Sequence, residues 1–346
     1  MESGEVNPQL LSATINTLFG GGKGLLAMDE STPTCDKRFA AVGIPQTAEA
    51  RRAYRELIIT TPGLGRYIGG AILFDETIRQ TTKEGVPFPK FLADAGIVPG
   101  IKVDEGTNDL AGHPGERITA GLDGLRERLL EYSNLGARFA KWRSVITIGD
   151  GIPTRGCLDA NAQDLARYAA LCQEVGLVPI VEPEILMDGD HTIELCAEVT
   201  GEMLFTVFSE IYQEGVDLEG MILKPNMVLP GLSCPIRNSI DEVADITAET
   251  LLRVVPAAVP AIAFLSGGQS GELACSHLNA MNLKFRERLP WVLSFSFARA
   301  IQHPALEIWA GEDTQVSAAQ NALFHRAHCS QAARCGDYTT DMETTK

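Results

Sequence analysis

Short apolar or β-branched runs alternate with longer amphipathic stretches along nearly the whole chain. Eight such runs stand out, at residues 24–29, 68–74, 98–104, 137–146, 177–185, 219–227, 261–268 and 291–299. Between them lie stretches with helical periodicity, including 47–60, 118–135, 161–175, 191–214 and 240–254. Strand, helix, strand, helix is the pattern of a parallel sheet with crossover helices, which allows an open doubly wound sheet or a closed barrel. Closure is favoured by the count of eight and by the lack of a G-x-G-x-x-G after the first run, where a dinucleotide fold would carry it. The GGGKG at 20–24 precedes a strand, and Lys23 is followed by Gly24 instead of Ser or Thr. It therefore reads as a flexible lead-in and not as a phosphate loop. No repeat, charge block or low-complexity segment marks a linker. The expectation is one α/β domain over 1–346: a (β/α)8 TIM barrel at about 22–312, an N-terminal extension at 1–21, and a C-terminal helix and tail at about 313–346.

Composition narrows the class. The 346 residues are 45% hydrophobic and 21% charged, ordinary for a soluble globular chain. Twenty-nine Lys+Arg against 45 Asp+Glu give a net charge of −16. Such a surface repels nucleic-acid backbones and anionic lipid, so neither is an expected partner, and any anionic substrate needs a local basic cluster. The longest apolar stretch, 254–265, holds Pro256 and Pro260 and is too short to span a bilayer. The start MESGEVNPQL has no basic segment before an apolar run, so the expected location is cytoplasmic. The eight cysteines show no C-x-x-C and read as scattered reduced thiols. The six histidines form no H-E-x-x-H; His325 and His328, one turn apart, read as a solvated helix face. No catalytic metal site and no cofactor are expected.

The chemistry lies at the ends of the apolar runs, which finish in Asp29–Glu30, Asp75–Glu76, Lys102 with Asp104, Lys141 with Arg143, Glu182 with Glu184, Lys224, Ser266–Gly268, and Ser296 with Arg299. In a barrel these ends converge on one mouth, where active sites form. Alternation puts Lys141 and Arg143 on one face about 7 Å apart, and likewise Glu182 and Glu184. A lysine inside an apolar run costs desolvation unless it is used or paired. Lys141 and Lys224 come from strands four and six, which contribute to one layer, with Glu182 between them as a proton shuttle. A lysine amine attacks only when neutral, a state that burial and a neighbouring cation both favour. Iminium formation with a ketone follows, with Ser266, Gly267, Gly268 and the remaining basic groups as anion cradles.

Seven collinear segments carry a resemblance: GKGLLAMDEST (22–32), GGAILFDET (69–77), GIKVD (100–104), FAKWR (139–143), IVEPEIL (180–186), LKPNMV (223–228) and FLSGGQS (264–270). Together they resemble class I fructose-bisphosphate aldolase, from roughly residue 10 to residue 338. The resemblance implies a metal-independent TIM-barrel lyase, usually a homotetramer, that cleaves fructose 1,6-bisphosphate reversibly to dihydroxyacetone phosphate and glyceraldehyde 3-phosphate. It casts Lys224 as the Schiff-base lysine, Glu182 as the acid/base of carbinolamine dehydration with Glu184 its partner, and Asp29 as the carboxylate near the C4 hydroxyl. Lys141 becomes the lysine that favours the nucleophile's neutral form and orients the chain. The one-phosphate would meet Ser266, Gly267, Gly268, Ser296 and Arg299, and the six-phosphate Ser31, Thr34, Arg38, Lys102 and Arg143. Arg51 carries over to substrate binding, against a solvated helix face as the alternative. A Schiff-base aldolase for another phosphosugar, such as sedoheptulose bisphosphate, and a non-catalytic scaffold keeping the fold are the competing readings. Three departures stand out. DESTPT (29–34) places Pro33 in the phosphate loop, where it would stiffen the backbone. Ala298 replaces a usual glycine before Arg299 and keeps an amide donor if its φ is negative. The last tyrosine is Tyr338, where the family carries a longer tail ending in a tyrosine tied to proton exchange on the enamine.

Overall fold

The computed structural model describes residues 7–344, so the first six residues of the expected N-terminal extension and the last two of the tail lie outside it. Ten strands run in chain order: β1 (Gly24–Ala27), β2 (Ile68–Leu73), β3 (Val98–Lys102), β4 (Thr107–Asp109), β5 (Arg117–Thr119), β6 (Phe139–Ile146), β7 (Val178–Ile185), β8 (Ile222–Leu223), β9 (Ala261–Phe264) and β10 (Val292–Phe297). All but β4 and β5 close into a ring, β1-β2-β3-β6-β7-β8-β9-β10 and back to β1, with every neighbour parallel. This is the (β/α)8 barrel that the alternation predicts. The helices are α1 (Pro8–Phe19), α2 (Thr32–Ala41), α3 (Ala48–Ile59), α4 (Asp75–Ile78), α5 (Phe88–Asp94), α6 (Leu125–Asn134), α7 (Arg155–Glu174), α8 (Ile193–Gln213), α9 (Ile240–Val254), α10 (Gly271–Phe285), α11 (Arg299–Trp309) and α12 (Val316–Cys335).

The helix expected over 118–135 is corrected. Its first residues, with β-branched Ile118 and Thr119, form β5, which pairs antiparallel with β4 as a small hairpin. Gly121, at φ 122°, breaks the chain before α6 begins at Leu125. The sixth barrel strand is also shorter than its apolar run, because Pro225 has no N–H to continue the ladder. Lys224 still donates its amide to Val181 O at 2.8 Å, so its side chain keeps the strand's register.

The extension holds a helix that the strand-and-helix alternation did not reveal. Asn7 caps α1, accepting from the Leu10 amide, and Pro8 occupies the first turn, where no N–H is needed. Leu11, Ile15 and Leu18 then fall on one face and join the cluster inside the barrel with Leu25, Ile72, Phe139, Ile180, Ile222 and Ala263. The approach is close: a Cβ on Gly69 would lie 1.9 Å from the Leu18 carbonyl oxygen. α1 thus lids the end of the barrel where the strands begin, leaving the opposite mouth open. Within the GGGKG lead-in, Gly20–Gly22 form a 3-10 turn that is exposed at Gly20 and Gly21, whereas a Cβ on Gly22 would meet Cys335 Sγ at 2.6 Å. The eight cysteines are free thiols, and among the described residues no helix is long and apolar enough to cross a membrane.

Candidate active site

Strand register brings the charged groups together. β6 and β7 pair so that Arg143 lies beside Glu182 and Val145 beside Glu184, while Phe139, Lys141 and Arg143 alternate toward the barrel axis. Above the apolar layer of Phe139, Ile180 and Ile222, the same strands present Lys141, Glu182 and Lys224. Glu182 is bridged on both oxygens: Lys224 Nζ stands 3.0 Å from Oε1 and Lys141 Nζ 3.2 Å from Oε2. Lys141 Nζ also pairs with Asp29 Oδ2 at 2.7 Å, and Asp104 Oδ2 lies 3.9 Å away. Asp29, Lys141, Glu182 and Lys224 are all buried at the floor of a cleft of about 1300 Å³.

Burial acts against both members of the central pair, and their neighbours outweigh it. Desolvation raises the Asp29 carboxyl, yet the ammonium groups of Lys141 and Lys224 hold it well below the usual carboxylate range. Desolvation likewise disfavours the Lys141 ammonium, but Asp29, Glu182 and Asp104 hold its pKa well above the usual lysine value. Lys141 therefore remains a cation beside Lys224, separated from it by one carboxylate.

The two sides of the mouth differ. On one, the turn Ser266–Gly267–Gly268 has both glycines left-handed, at φ 56° and 78°, and Arg299 lies against it: a Cβ on Gly268 would be 3.7 Å from Arg299 Nη2. Arg299 has no ion-pair partner among the described residues, and the buried Ser296 hydroxyl has no hydrogen-bond partner there either. On the other side three of the lining cations are engaged. Arg38 binds Glu30, Lys102 Nζ binds Asp104 Oδ1 at 2.7 Å, and Arg143 Nε binds Glu184 Oε2. Ser31 Oγ and Thr34 Oγ1 lie 3.1 Å apart at the start of α2. Pro33 sits in the first turn of α2, where it fits without disrupting a bond, and Ala298 has φ −103°, the backbone that an alanine tolerates.

Arg51 is the exception among the expected residues. It does not line the cleft and is not solvated: Nε and Nη2 form a bidentate pair with Glu76, and Nη1 binds Asp36 at 2.8 Å. Each of its three guanidinium nitrogens is engaged, tying α3 to α2 and α4. Of the two histidines read as a solvated helix face, His328 is exposed, with its ring stacked on Tyr67 at 4.9 Å, while His325 is half-buried against Cys329.

Several contributors were not singled out from sequence. Asp104 holds Lys102 and faces Lys141, and the strand-end pattern contained it without saying what it meets. Glu30 is clamped by Arg38 and Arg55 and accepts from Gln302 Nε2 at 3.0 Å. Behind the glycine turn, His277 Nδ1 lies 2.6 Å from Gln269 Oε1, and Gln269 Nε2 donates to the Ser266 carbonyl at 2.8 Å. Since Oε1 can only accept, His277 carries its proton on Nδ1.

Comparison with known proteins fits this arrangement. The family model for fructose-bisphosphate aldolase class-I matches residues 10–346. A "probable fructose-bisphosphate aldolase class 1" of Xanthomonas campestris is 55% identical over 329 residues, covering 95% of this chain and 98% of that protein. The cytosolic fructose-bisphosphate aldolase 4 of Arabidopsis thaliana is 49% identical over 322 residues, covering 93% of this chain and 82% of that one. The solved structure of fructose-bisphosphate aldolase from Plasmodium falciparum, in complex with TRAP and a small-molecule inhibitor, superposes with a TM-score of 0.94 at 46% identity, each chain covered to 96%. With a closed barrel, two buried lysines sharing a carboxylate at its mouth, and matches over almost the full length, the chain belongs to the class I fructose-bisphosphate aldolase family.

Proposed function

We propose that the chain cleaves fructose 1,6-bisphosphate reversibly to dihydroxyacetone phosphate and glyceraldehyde 3-phosphate through an imine on Lys224. The observation that carries this reading is Glu182, held between Lys224 and Lys141 at the cleft floor. Neutral Lys224 adds to the C2 ketone to give a carbinolamine. Glu182, which takes up the ammonium proton that Lys224 gives up across their 3.0 Å contact to become neutral, returns that proton to the departing hydroxyl, water leaves, and an iminium forms. Asp29 then takes the C4 hydroxyl proton as the C3–C4 bond breaks. The bonding pair flows into the iminium to give an enamine, and the aldehyde departs. Protonation at C3 and hydrolysis release dihydroxyacetone phosphate and restore the amine. Asp29 paired with Lys141 is a poor base, so the C4 hydroxyl must insert between them and loosen that pair. Lys141, which remains charged, orients the substrate chain. Glu184, held by Arg143, supports Glu182 from the next inward position of β7.

The one-phosphate is assigned to Ser266, Gly267, Gly268, Ser296 and Arg299, next to the first turn of α11, where backbone amides favour an anion. The six-phosphate is assigned to Ser31, Thr34, Arg38, Lys102 and Arg143. Residues 1–346 act as one unit in this reading, supported by α1 lying in the barrel's own core cluster. A cytoplasmic homotetramer is the assembly proposed. Its support is the cytosolic relative and the exposed aromatic face of α8, where Phe205 and Tyr212 are 62% and 85% exposed. Turnover of fructose 1,6-bisphosphate in EDTA tests the reading, with sedoheptulose bisphosphate as the comparison. Sustained cleavage is expected; loss on chelation, restored by zinc, would sink the imine mechanism.

A further inference from the structure

Outside the cleft, three side chains of different chemistry converge where the chain's last turn folds back on α12. His325 and Cys329 lie one helical turn apart, with Nε2 and Sγ separated by 3.6 Å. Glu343, from the 3-10 turn Thr340–Thr344, brings Oε2 to 3.8 Å from the same imidazole nitrogen. All three donor atoms lie within 4.8 Å of one another. Tetrahedral zinc, with bonds of about 2.0 Å to nitrogen or oxygen and 2.3 Å to sulfur, sets donors roughly 3.5 Å (N to S) and 3.3 Å (N to O) apart. The N-to-S separation matches its edge, while Glu343 Oε2, at 3.8 Å from nitrogen and within 4.8 Å of sulfur, has to move in by a fraction of an ångström or more to complete the set. We propose that His325, Cys329 and Glu343 form a binding site for a zinc-class divalent cation, with water as the fourth ligand.

The donor set selects the ion. Thiolate and imidazole suit zinc and its neighbours, whereas magnesium and calcium require oxygen ligands. On binding, the Sγ–metal bond replaces the Cys329 S–H bond, and the proton leaves to solvent. Thiolate and carboxylate together cancel the ion's two charges, so the loaded site is neutral, one unit more positive than the empty site, whose carboxylate Arg326 binds through Oε2. The carboxylate is oriented from behind, since the Tyr338 hydroxyl donates to Oε1 at 2.8 Å; such outer partners fix ligand geometry. Cys329 is fully buried, while the His325 side chain is 32% exposed and gives the ion an entry path. The loaded site would pin the last turn to α12. Arg326 links that turn to the barrel mouth, because its Nε donates to the Ala300 carbonyl at 3.3 Å, one residue past Arg299.

The test uses the full chain, stripped of metal and titrated with zinc against a chromophoric chelator, with cobalt(II) as a spectroscopic probe. One tight equivalent is expected, with a thiolate-to-cobalt charge-transfer band and tetrahedral d–d bands. Cys329→Ser should abolish the charge-transfer band. Glu343→Gln, on a partly exposed turn where a folding defect is not expected, should weaken zinc at least about 10-fold, since even outer-shell losses cost that much. Absence of a stoichiometric site, or an unchanged charge-transfer band in Cys329→Ser, would overturn the proposal. Equal zinc affinity in Glu343→Gln and the parent would do the same.

Discussion

Glu182 meets a lysine on each carboxylate oxygen, and that arrangement distinguishes the floor of the cleft from its rim. On the rim, phosphate affinity depends on which cations are already paired. Arg299 is unpaired, so a phosphate gains its charge-assisted hydrogen bonds without displacing a carboxylate. Such bonds are worth about 1.5–3 kcal/mol, so Arg299→Ala should weaken dihydroxyacetone phosphate roughly 10- to 150-fold. Lys102 is bound to Asp104, and its gain on meeting phosphate is offset by the bond it gives up. Lys102→Ala should therefore weaken the bisphosphate by about fivefold or less, within the range of a partly solvated pair, and leave dihydroxyacetone phosphate nearly unchanged. Calorimetric titration of both ligands into both variants measures this, and equal losses everywhere would refute two separate phosphate ends. Arg51 shows where sequence reasoning stops at this scale. Its helical context, AEARRAYRE, places it on α3, but its fate is decided by Glu76 and Asp36, which only the tertiary fold brings to it.

Among the elements, the turn between β9 and α10 owes its shape to residues outside it. The Ser266 carbonyl is held by the amide nitrogens of Gln269, and Gln269 is held by His277 from α10. His277→Leu should raise the KM for the bisphosphate by about 2- to 10-fold, equivalent to one neutral hydrogen bond, with little change in kcat. His277→Asn offers an N–H near the position of Nδ1 and should restore most of the loss; equal defects in the two would assign His277 a packing role only. Burial also holds the His277 imidazole down at about 4, against 6.5 unperturbed. Between those values the unfolded chain binds more protons than the folded one. This contribution to stability is therefore complete above about pH 6.5 and is lost as the pH falls through about 4. Urea unfolding at pH 7 and pH 5 should show a smaller acid loss for His277→Asn than for the parent. The α1 lid makes a separate prediction: Leu18→Ala opens a void at a fully buried site and should cost about 2–5 kcal/mol of unfolding free energy, where a loss under 1 would contradict its place in the core. The eight barrel strands were legible because each is a short apolar run, and long helices such as α9 because their period is sustained. The β4–β5 hairpin was not legible, since three-residue strands leave too little alternation to separate from the start of a helix. The His277 contact is a meeting of helix and loop that no local period encodes.

Across the whole molecule, a net charge of −16 offers no general attraction to a bisphosphate. Recognition has to come from the convergence of eight strand ends, and the charged residues closing each apolar run already marked that mouth in the sequence. The chain alone could not apportion roles between its two buried lysines, because both come from the same layer and meet the same carboxylate. Borohydride trapping with dihydroxyacetone phosphate, followed by mapping of the labelled residue, separates them most directly. Lys224→Arg keeps the positive charge but cannot be deprotonated, so it should lose the label while retaining the fold and some phosphate binding. Lys141→Arg keeps both the nucleophile and a neighbouring cation, so it should still be labelled at Lys224. Its cleavage should be slower, on the order of 100-fold if the bulkier fork displaces the substrate by about 1 Å. Label lost in Lys141→Arg and kept in Lys224→Arg would exchange the two roles, and label kept in both would place the imine on another residue.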